Sequence, residues 1–306
     1  MKVLVTGGAG FIGSHVVDAF VDAGHDVAIV DNLSTGKREN INPRAKFYET
    51  DIASDGLREA VAAERPQAIA HLAAQIDVTK SVGDPAFDAR MNILGLINVL
   101  ESCRQFDVKR LVFSSTGGAI YGAAKDYPAT EATRPEPLSP YATSKFAGEE
   151  YIKMYGRVHG LTWVVLRYTN VFGPRQAPHG ECGVCAVLTD LMTKGKQPTL
   201  YGFGEPVRDY VYVGDVARAN LVALTKGDND TFNICSSVPT TVREIFDTLQ
   251  ALTDFKEAPV LKPLRAGEVE KSLCLNAKAR EVLGWQPAVN LRTGLEAVLA
   301  SLGTTA

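Results

Sequence analysis

Tyr141 and Lys145 close the run Tyr-Ala-Thr-Ser-Lys, in a stretch with helical patterning. On a helix that spacing sets a phenol and an ammonium on one face, one turn apart. A neighbouring cation stabilises phenolate, so the pair is expected to lower a tyrosine pKa that starts at about 10 and to yield a base near neutral pH. Upstream, Ser114, Ser115 and Thr116 follow the apolar run at 110–113. A hydroxyl at the carboxyl end of a strand can bond a reacting oxygen and guide its proton. A tyrosine and lysine at this spacing are commonplace on helix surfaces. Their weight here comes from the order along the chain: glycine loop, hydroxyl-bearing strand end, tyrosine–lysine helix.

The glycine loop is Thr6-Gly7-Gly8-Ala9-Gly10-Phe11-Ile12-Gly13, between the apolar run Lys2–Thr6 and a helical pattern over residues 12–23. In such a loop Gly7 permits the tight turn, Gly10 lets backbone approach a pyrophosphate, and Gly13 lets helix pack close to strand. The pyrophosphate then meets free N–H groups at the positive end of the helix dipole. Asp31 ends the next apolar run, where a carboxylate accepts hydrogen bonds from the adenosine ribose and repels a 2′-phosphate. NAD is therefore expected rather than NADP, although Lys37 and Arg38 lie close by.

The elements that must position these groups alternate. Apolar runs at 2–6, 27–30, 68–72, 110–113 and 161–166 read as strands, and 12–23, 86–106 and 141–159 as helices. Continuous apolar strands between amphipathic helices indicate a parallel sheet covered on both faces. The fold class expected is α/β: a Rossmann-like doubly wound parallel sheet over residues 1–166, with a smaller mixed α/β substrate domain over 167–306. Helices at 184–195, 215–226 and 241–253 and a short strand and turn at 198–204 belong to the second part, some of which is expected to return to the first. The stripe Leu94, Ile97, Leu100 reads as core or interface.

The chain of 306 residues is 45% hydrophobic and 22% charged, with a net charge of −3. That suits a packed globular protein and not a disordered or collagenous one. Mild acidity gives no footprint for nucleic acid or an anionic membrane. No apolar run approaches the roughly 18 residues that span a bilayer. Five cysteines form no disulfide framework, and glycines interrupt the N-terminal apolar run before a signal core, so a cytoplasmic location is expected. His179, Cys182 and Cys185 make H-x-x-C-x-x-C without a fourth ligand, so packed thiols are expected and no metal.

Across essentially its whole length the chain resembles the extended short-chain dehydrogenase/reductase family. Within that family it is most similar to the nucleotide-sugar epimerases, above all the UDP-galactose (UDP-glucose) 4-epimerases. The resemblance rests on the glycine loop through His15, on Asp31-Asn32-Leu33-Ser34-Thr35-Gly36, Asp51-Ile52, His71-Leu-Ala-Ala-Gln75 and Asn92-Ile-Leu-Gly95. It continues through SSTGGAIYG at 114–122, SPYATSK at 139–145, the stretch Leu166 to Pro174, Arg208-Asp-Tyr-Val-Tyr212 and Arg265-Ala-Gly-Glu268.

The resemblance implies NAD as cofactor and a UDP-sugar as substrate, epimerised at C4 through a transient 4-keto sugar, in a homodimer paired through the two long helices. It implies cofactor contacts from Gly7, Gly10, Phe11, Ile12, Gly13, Asp31, Asn32, Ser34, Thr35, Gly36, Asp51, Ile52, Leu72, Ala73, Ala74, Gln75 and Asn92. Thr116, Tyr141 and Lys145 match the catalytic hydroxyl, base and ribose-holding lysine. Asn170, Thr199, Tyr201, Arg208, Arg265 and Glu268 match substrate contacts. The turn Gly117-Gly118-Ala119 is one residue longer than in some epimerases, so Ser115 remains a rival to Thr116. Related 4,6-dehydratases and UDP-glucuronate decarboxylases carry acids at this turn; glycines and alanine transfer no protons, which disfavours both. A catalytically silent NAD-sensing protein is the alternative of another class; such chains usually lack the tyrosine or lysine. Ser272 falls near a position where a large residue excludes N-acetyl sugars, and a serine there would admit them.

Overall fold

The computed structural model describes residues 1–123, 127–178, 183–265 and 269–303. The first part of the chain runs β1 (Lys2–Thr6), α1 (Phe11–Asp22), β2 (Asp26–Asp31), β3 (Lys46–Glu49), α2 (Asp55–Glu64), β4 (Ala68–His71), α3 (Val78–Gly83) and α4 (Pro85–Ala89). It continues through a π-helical turn (Arg90–Leu94), α5 (Gly95–Gln105), β5 (Arg110–Thr116), α6 (Pro140–His159) and β6 (Thr162–Tyr168). Beyond these come β7 (Asn170–Phe172), α7 (Val184–Thr193), β8 (Thr199–Tyr201), β9 (Val207–Tyr212), α8 (Val213–Ala223) and β10 (Asp230–Ile234). The last elements are β11 (Pro239–Thr241), α9 (Val242–Thr253), β12 (Val260–Lys262), β13 (Lys271–Ser272) and α10 (Leu291–Ser301).

Among the described residues, seven strands form one parallel sheet in the order β10-β6-β5-β4-β1-β2-β3. The chain winds one way from β1 to β3 and the other way from β4 onward. Their carboxyl ends therefore part between β1 and β4, which is where doubly wound sheets bind ligands. Alternation along each strand serves two cores. Val3 and Val5 pack with α1 and α8, and Leu4 packs with α2, α5 and α6. A third cluster, with Phe172, Leu188, Leu200, Ile245, Phe246 and Leu295, fills the smaller part around β9.

Local chemistry sets the helix that carries Tyr141. Ser139 caps α6 by accepting from the Ala142 N–H at 3.2 Å, Pro140 begins it, and Gly160 at φ +70° ends it. The helix expected over 86–106 is real but interrupted: its π-helical turn adds a residue and rotates the helical face beyond it. Leu94 is consequently 57% exposed while Leu100 is buried, so the expected stripe is split. The strand expected at 161–166 extends through Tyr168, and the sheet takes its last strand, β10, from well beyond it. No helix among the described residues is long and apolar enough to cross a membrane.

Trp285, 2% exposed, lies in the core shared by α1 and α8 and donates from Nε1 to the Asp215 carbonyl at 2.9 Å. Asp215 Oδ2 accepts from the N–H groups of Ala288 and Val289, so this corner ties the C-terminal segment to α8. Trp285→Ala is expected to cost about 3–5 kcal/mol, read from urea unfolding; a loss under about 1 kcal/mol would show that the corner is not a packing anchor.

Candidate active site

A cavity of about 680 Å³ opens at the switch point. It is lined by Gly7, Gly10, Phe11, Ile12, Gly13, Asp31, Asn32, Ser34, Thr35, Asp51, Ile52, Leu72, Ala73, Ala74, Gln75, Thr116, Tyr141, Lys145 and Asn170, all expected from the sequence. Gly7 sits at φ +73°, where a Cβ would lie 2.7 Å from the Ala73 nitrogen. At Gly13 a Cβ would lie 2.0 Å from the Gly7 carbonyl oxygen. The loop can therefore press against β4 and run straight into α1 only with glycine at both places. No side chain caps α1, whose first residues Phe11, Ile12 and Gly13 line the cavity.

Two carboxylates, Asp31 and Asp51, line one end of this groove. Asp31 Oδ2 accepts from the Ala9 N–H at 3.0 Å and Oδ1 from the Leu33 N–H at 2.8 Å, which binds the end of β2 to the glycine loop. Gly36 lies behind it, outside the cavity lining, where a Cβ would meet Asp31 Oδ1 at 2.8 Å. Asp51 accepts from Asn32 Nδ2 at 2.7 Å. Lys37 and Arg38 pair with Glu39 and Glu49, so acidic partners answer both cations near Asp31. Each Asp31 oxygen accepts one backbone N–H and keeps a second lone pair; that carboxylate in the cavity lining and a backbone cradle that a Cβ would fill fit a dinucleotide with unphosphorylated ribose.

The other end is the reactive wall. Lys145 is 4% exposed; its Nζ donates to the Ser114 carbonyl at 2.9 Å and lies 4.9 Å from the Phe113 ring centroid. Burial pulls its ammonium down to about 8, against the opposing pull of Asp88 and Glu149. Tyr141 and Thr116 line the cavity together. Burial and then the nearby charge of Asp88 push the phenol up to about 12, and the neighbouring Thr116 hydroxyl acts the other way. The expected lowering by Lys145 does not appear, because the ammonium is tethered to the end of β5 and desolvation outweighs it.

The two rival hydroxyls part company here. Ser115 donates to Glu149 Oε1 at 2.6 Å, and Glu149 holds Arg167 through both oxygens at 2.9 and 2.6 Å. Arg167 also donates to the Tyr121 hydroxyl, which donates to Asn233. Ser115 also lines the cavity, but its hydroxyl proton is spent on Glu149, whereas the Thr116 hydroxyl is not bound into this buried chain. No local pattern marks Glu149 or Arg167, since residues from α6 and β6 meet only in the fold.

Several expected contacts lie elsewhere. Asn92 is buried behind the wall, where Oδ1 accepts from the Gln75 N–H at 2.8 Å and Nδ2 donates to the Gln75 carbonyl at 2.9 Å. Gln75 spends its own amide on Asp77 and Asp88, so its side chain braces the wall. Asn170 donates to the Asp209 carbonyl at 3.1 Å at the cavity's substrate side. Arg208, on β9, clasps the carbonyls of Val207, Val269 and Glu270. Arg265 stacks 3.9 Å over the ring of Tyr201, on β8 with Thr199. Arg208, Arg265, Tyr201 and Thr199 are outside the lining of the main cavity, and Glu268 lies outside the described residues. Ser272, paired in register with Arg208, is 3.4 Å from the Gly118 carbonyl and so borders the turn after Thr116. Cys185 is buried in α7; His179 and Cys182 lie outside the described residues. Among the described residues no cluster could hold a metal.

A dinucleotide cradle running into a hydroxyl–phenol–ammonium wall suits an enzyme that oxidises an alcohol against a bound nicotinamide. The sequence model of the NAD dependent epimerase/dehydratase family matches residues 3–235, and the chain belongs to that family. It is 40% identical over 301 residues to the UDP-glucose 4-epimerase of Mycolicibacterium smegmatis, covering 96% of each chain. A UDP-glucose 4-epimerase from Thermotoga maritima, solved with UDP-glucose, is 48% identical with a TM-score of 0.97 and 99% of each chain covered. The Thermus thermophilus UDP-glucose 4-epimerase solved with NAD is 43% identical with a TM-score of 0.94, covering 100% of each.

The division between the two hydroxyls is testable. Thr116→Val should lower kcat by about 10²-fold or more with NAD content unchanged, whereas Ser115→Ala should lower thermal stability while keeping most of kcat. Reversed effects in that pair of variants would reassign the hydroxyl.

Proposed function

We propose that this chain interconverts UDP-hexoses that differ at C4, the UDP-glucose/UDP-galactose pair, using bound NAD. The observation that carries this is that Thr116, Tyr141 and Lys145 line the same cavity as the glycine loop Gly7–Gly13. Whole-length similarity to UDP-glucose 4-epimerases supports the substrate class.

NAD, held by Gly7 to Gly13, Asp31, Asp51 and the wall from Leu72 to Gln75, supplies a hydride acceptor that returns the same hydride. Tyr141 takes the C4 hydroxyl proton through Thr116 and later gives it back. Lys145 orients the nicotinamide ribose and adds positive charge to the wall. The 4-keto sugar turns about its phosphate linkage and presents its other face, so net redox change is zero. Position and electrostatics are what the protein contributes. Arg208, Arg265, Tyr201, Thr199, Asn170 and Glu268 are assigned to the nucleotide diphosphate and sugar; the first four reach them from the smaller part, read as the substrate domain. At the turn after Thr116, Gly117, Gly118 and Ala119 offer no acid for elimination. The small Ser272 beside that turn leaves room for an N-acetyl group.

Two further assignments belong to this reading. A homodimer through the helical run that ends in α5 and through α6 is supported by Leu94, 57% exposed on the π-helical turn before α5, and Val158, 64% exposed on α6. A cytoplasmic location is supported by the free buried thiols of Cys103, Cys185, Cys235 and Cys274. Sedimentation should give twice the chain mass, and monomers at micromolar concentration would remove the dimer.

The deciding experiment incubates purified protein with UDP-galactose and, separately, UDP-N-acetylgalactosamine, without added NAD. Both should yield their C4 epimers. Tyr141→Phe should lose activity by about 10³-fold while retaining NAD. Near-wild-type turnover in that variant would refute the base, a dehydrated product would indicate elimination, and rejection of the acetylated sugar alone would refute the role given to Ser272.

A further inference from the structure

Asp88 is 1% exposed in α4, and nothing in its sequence surroundings points to chemistry. A carboxylate withdrawn from water is costly unless its oxygens find donors or positive charge. Oδ1 accepts from Gln75 Nε2 and from Asn92 Nδ2, both at 3.0 Å. Oδ2 is buried and has no hydrogen-bond partner among the described residues. The two amides that Oδ1 holds are the braces of the cavity wall. Asn92 in turn grips both backbone groups of Gln75 and reaches Ser144 Oγ at 3.2 Å, one residue before Lys145. The π-helical turn that carries Asn92 is thus used: it turns this amide toward the wall.

The charged and titratable groups on the elements around α4 narrow the partners of this carboxylate. Lys80 of α3 and Arg90 of the π-helical turn are exposed. Asp77 and Asp84 cap α3 and α4 through the N–H groups of Lys80 and Phe87. On α6, Glu149 is taken by Arg167 and Ser115. Tyr141 and Lys145 remain: Asn92 Nδ2 bridges Asp88 Oδ1 to Ser144 Oγ, and Ser144 adjoins Lys145 and donates to the Tyr141 carbonyl at 2.9 Å. The charge of Asp88 acts on both groups.

We propose that Asp88 is a positioning residue of the reaction centre, whose Oδ1 fixes Gln75 and Asn92 in the cofactor wall and whose charge sets the protonation of the Tyr141–Lys145 pair. The proposal rests on the assignment of Tyr141 as base. A desolvated lysine tends to shed its proton, and a buried anion beside it keeps the ammonium charged while holding back premature ionisation of the phenol.

Asp88→Asn separates the two parts, because its carbonyl oxygen can still accept from both amides while the charge is gone. Wild type, Asp88→Asn and Asp88→Glu are compared by ultraviolet titration of the phenolate, with Tyr141→Phe identifying its band, and by the pH profile of kcat. Removing the anion should let both groups lose their protons more easily. Both limbs of the profile and the phenolate midpoint should move about one unit to lower pH, with thermal midpoint and NAD content retained, and Asp88→Glu should restore the wild-type positions. Superimposable titrations for Asp88→Asn and wild type would overturn the proposal, as would an equal shift in Asp88→Glu. If Asp88→Asn does not fold, Asp88→Ser carries the same comparison with the same outcomes. Wild type that binds NAD but converts no UDP-sugar would defeat the functional reading instead, and the phenolate titration would still decide the role of Asp88.

Discussion

A half-buried phenol beside a buried ammonium in one wall is the constraint around which this protein is arranged. Withdrawing Tyr141 and Lys145 from water moves their proton affinities in opposite directions, up to about 12 and down to about 8. Each neutral form is favoured by desolvation. The wall must then restore charge where the chemistry needs it. The Thr116 hydroxyl favours the phenolate and the Ser114 carbonyl and Asp88 hold the ammonium; an oxidised nicotinamide bound at this wall would add positive charge that favours proton loss from Tyr141.

That wall stands only because two others support it. Behind Thr116, the chain Ser115–Glu149–Arg167–Tyr121–Asn233 links β5, α6, β6 and β10 through buried hydrogen bonds. Such a network is costly if any member is missing, since it would leave charge unpaired in the core. Below Tyr141, the glycine loop is pressed against Ala73 by contacts that no larger residue permits. His71 fixes the same corner: the Thr6 hydroxyl accepts from the Ala73 N–H at 3.2 Å and shares a 2.7 Å hydrogen bond with His71 Nδ1. Burial depresses the imidazole to about 3, which keeps it neutral.

The features legible in the sequence are those that depend on short spacing. The glycine loop, Asp31 at the end of an apolar run, and Tyr141 with Lys145 carry their geometry within a few residues, and all of them line the cavity. Edge strand β3 escaped because Lys46-Phe-Tyr-Glu is half polar, and β10 because Asp-Thr-Phe-Asn-Ile shows its burial only once paired with β6. The π-helical turn was hidden because helical periodicity looks the same on either side of an added residue. Asp88, Glu149 and Arg167 are ordinary charges in sequence and become special only by burial. Arg208 and Arg265 stand out by motif, yet they lie on the smaller part beside the cavity, where Arg265 covers Tyr201.

The central claim is that one hydride leaves C4 and comes back while only the hydroxyl proton is handled by the protein. Running the reaction in deuterium oxide to equilibrium and reading the sugar carbons by mass spectrometry and NMR tests this directly. The account predicts epimerised product with no deuterium on any carbon. Deuterium at C4, C5 or C3 would contradict it, because it would mean that a carbon-bound hydrogen had been exchanged with solvent.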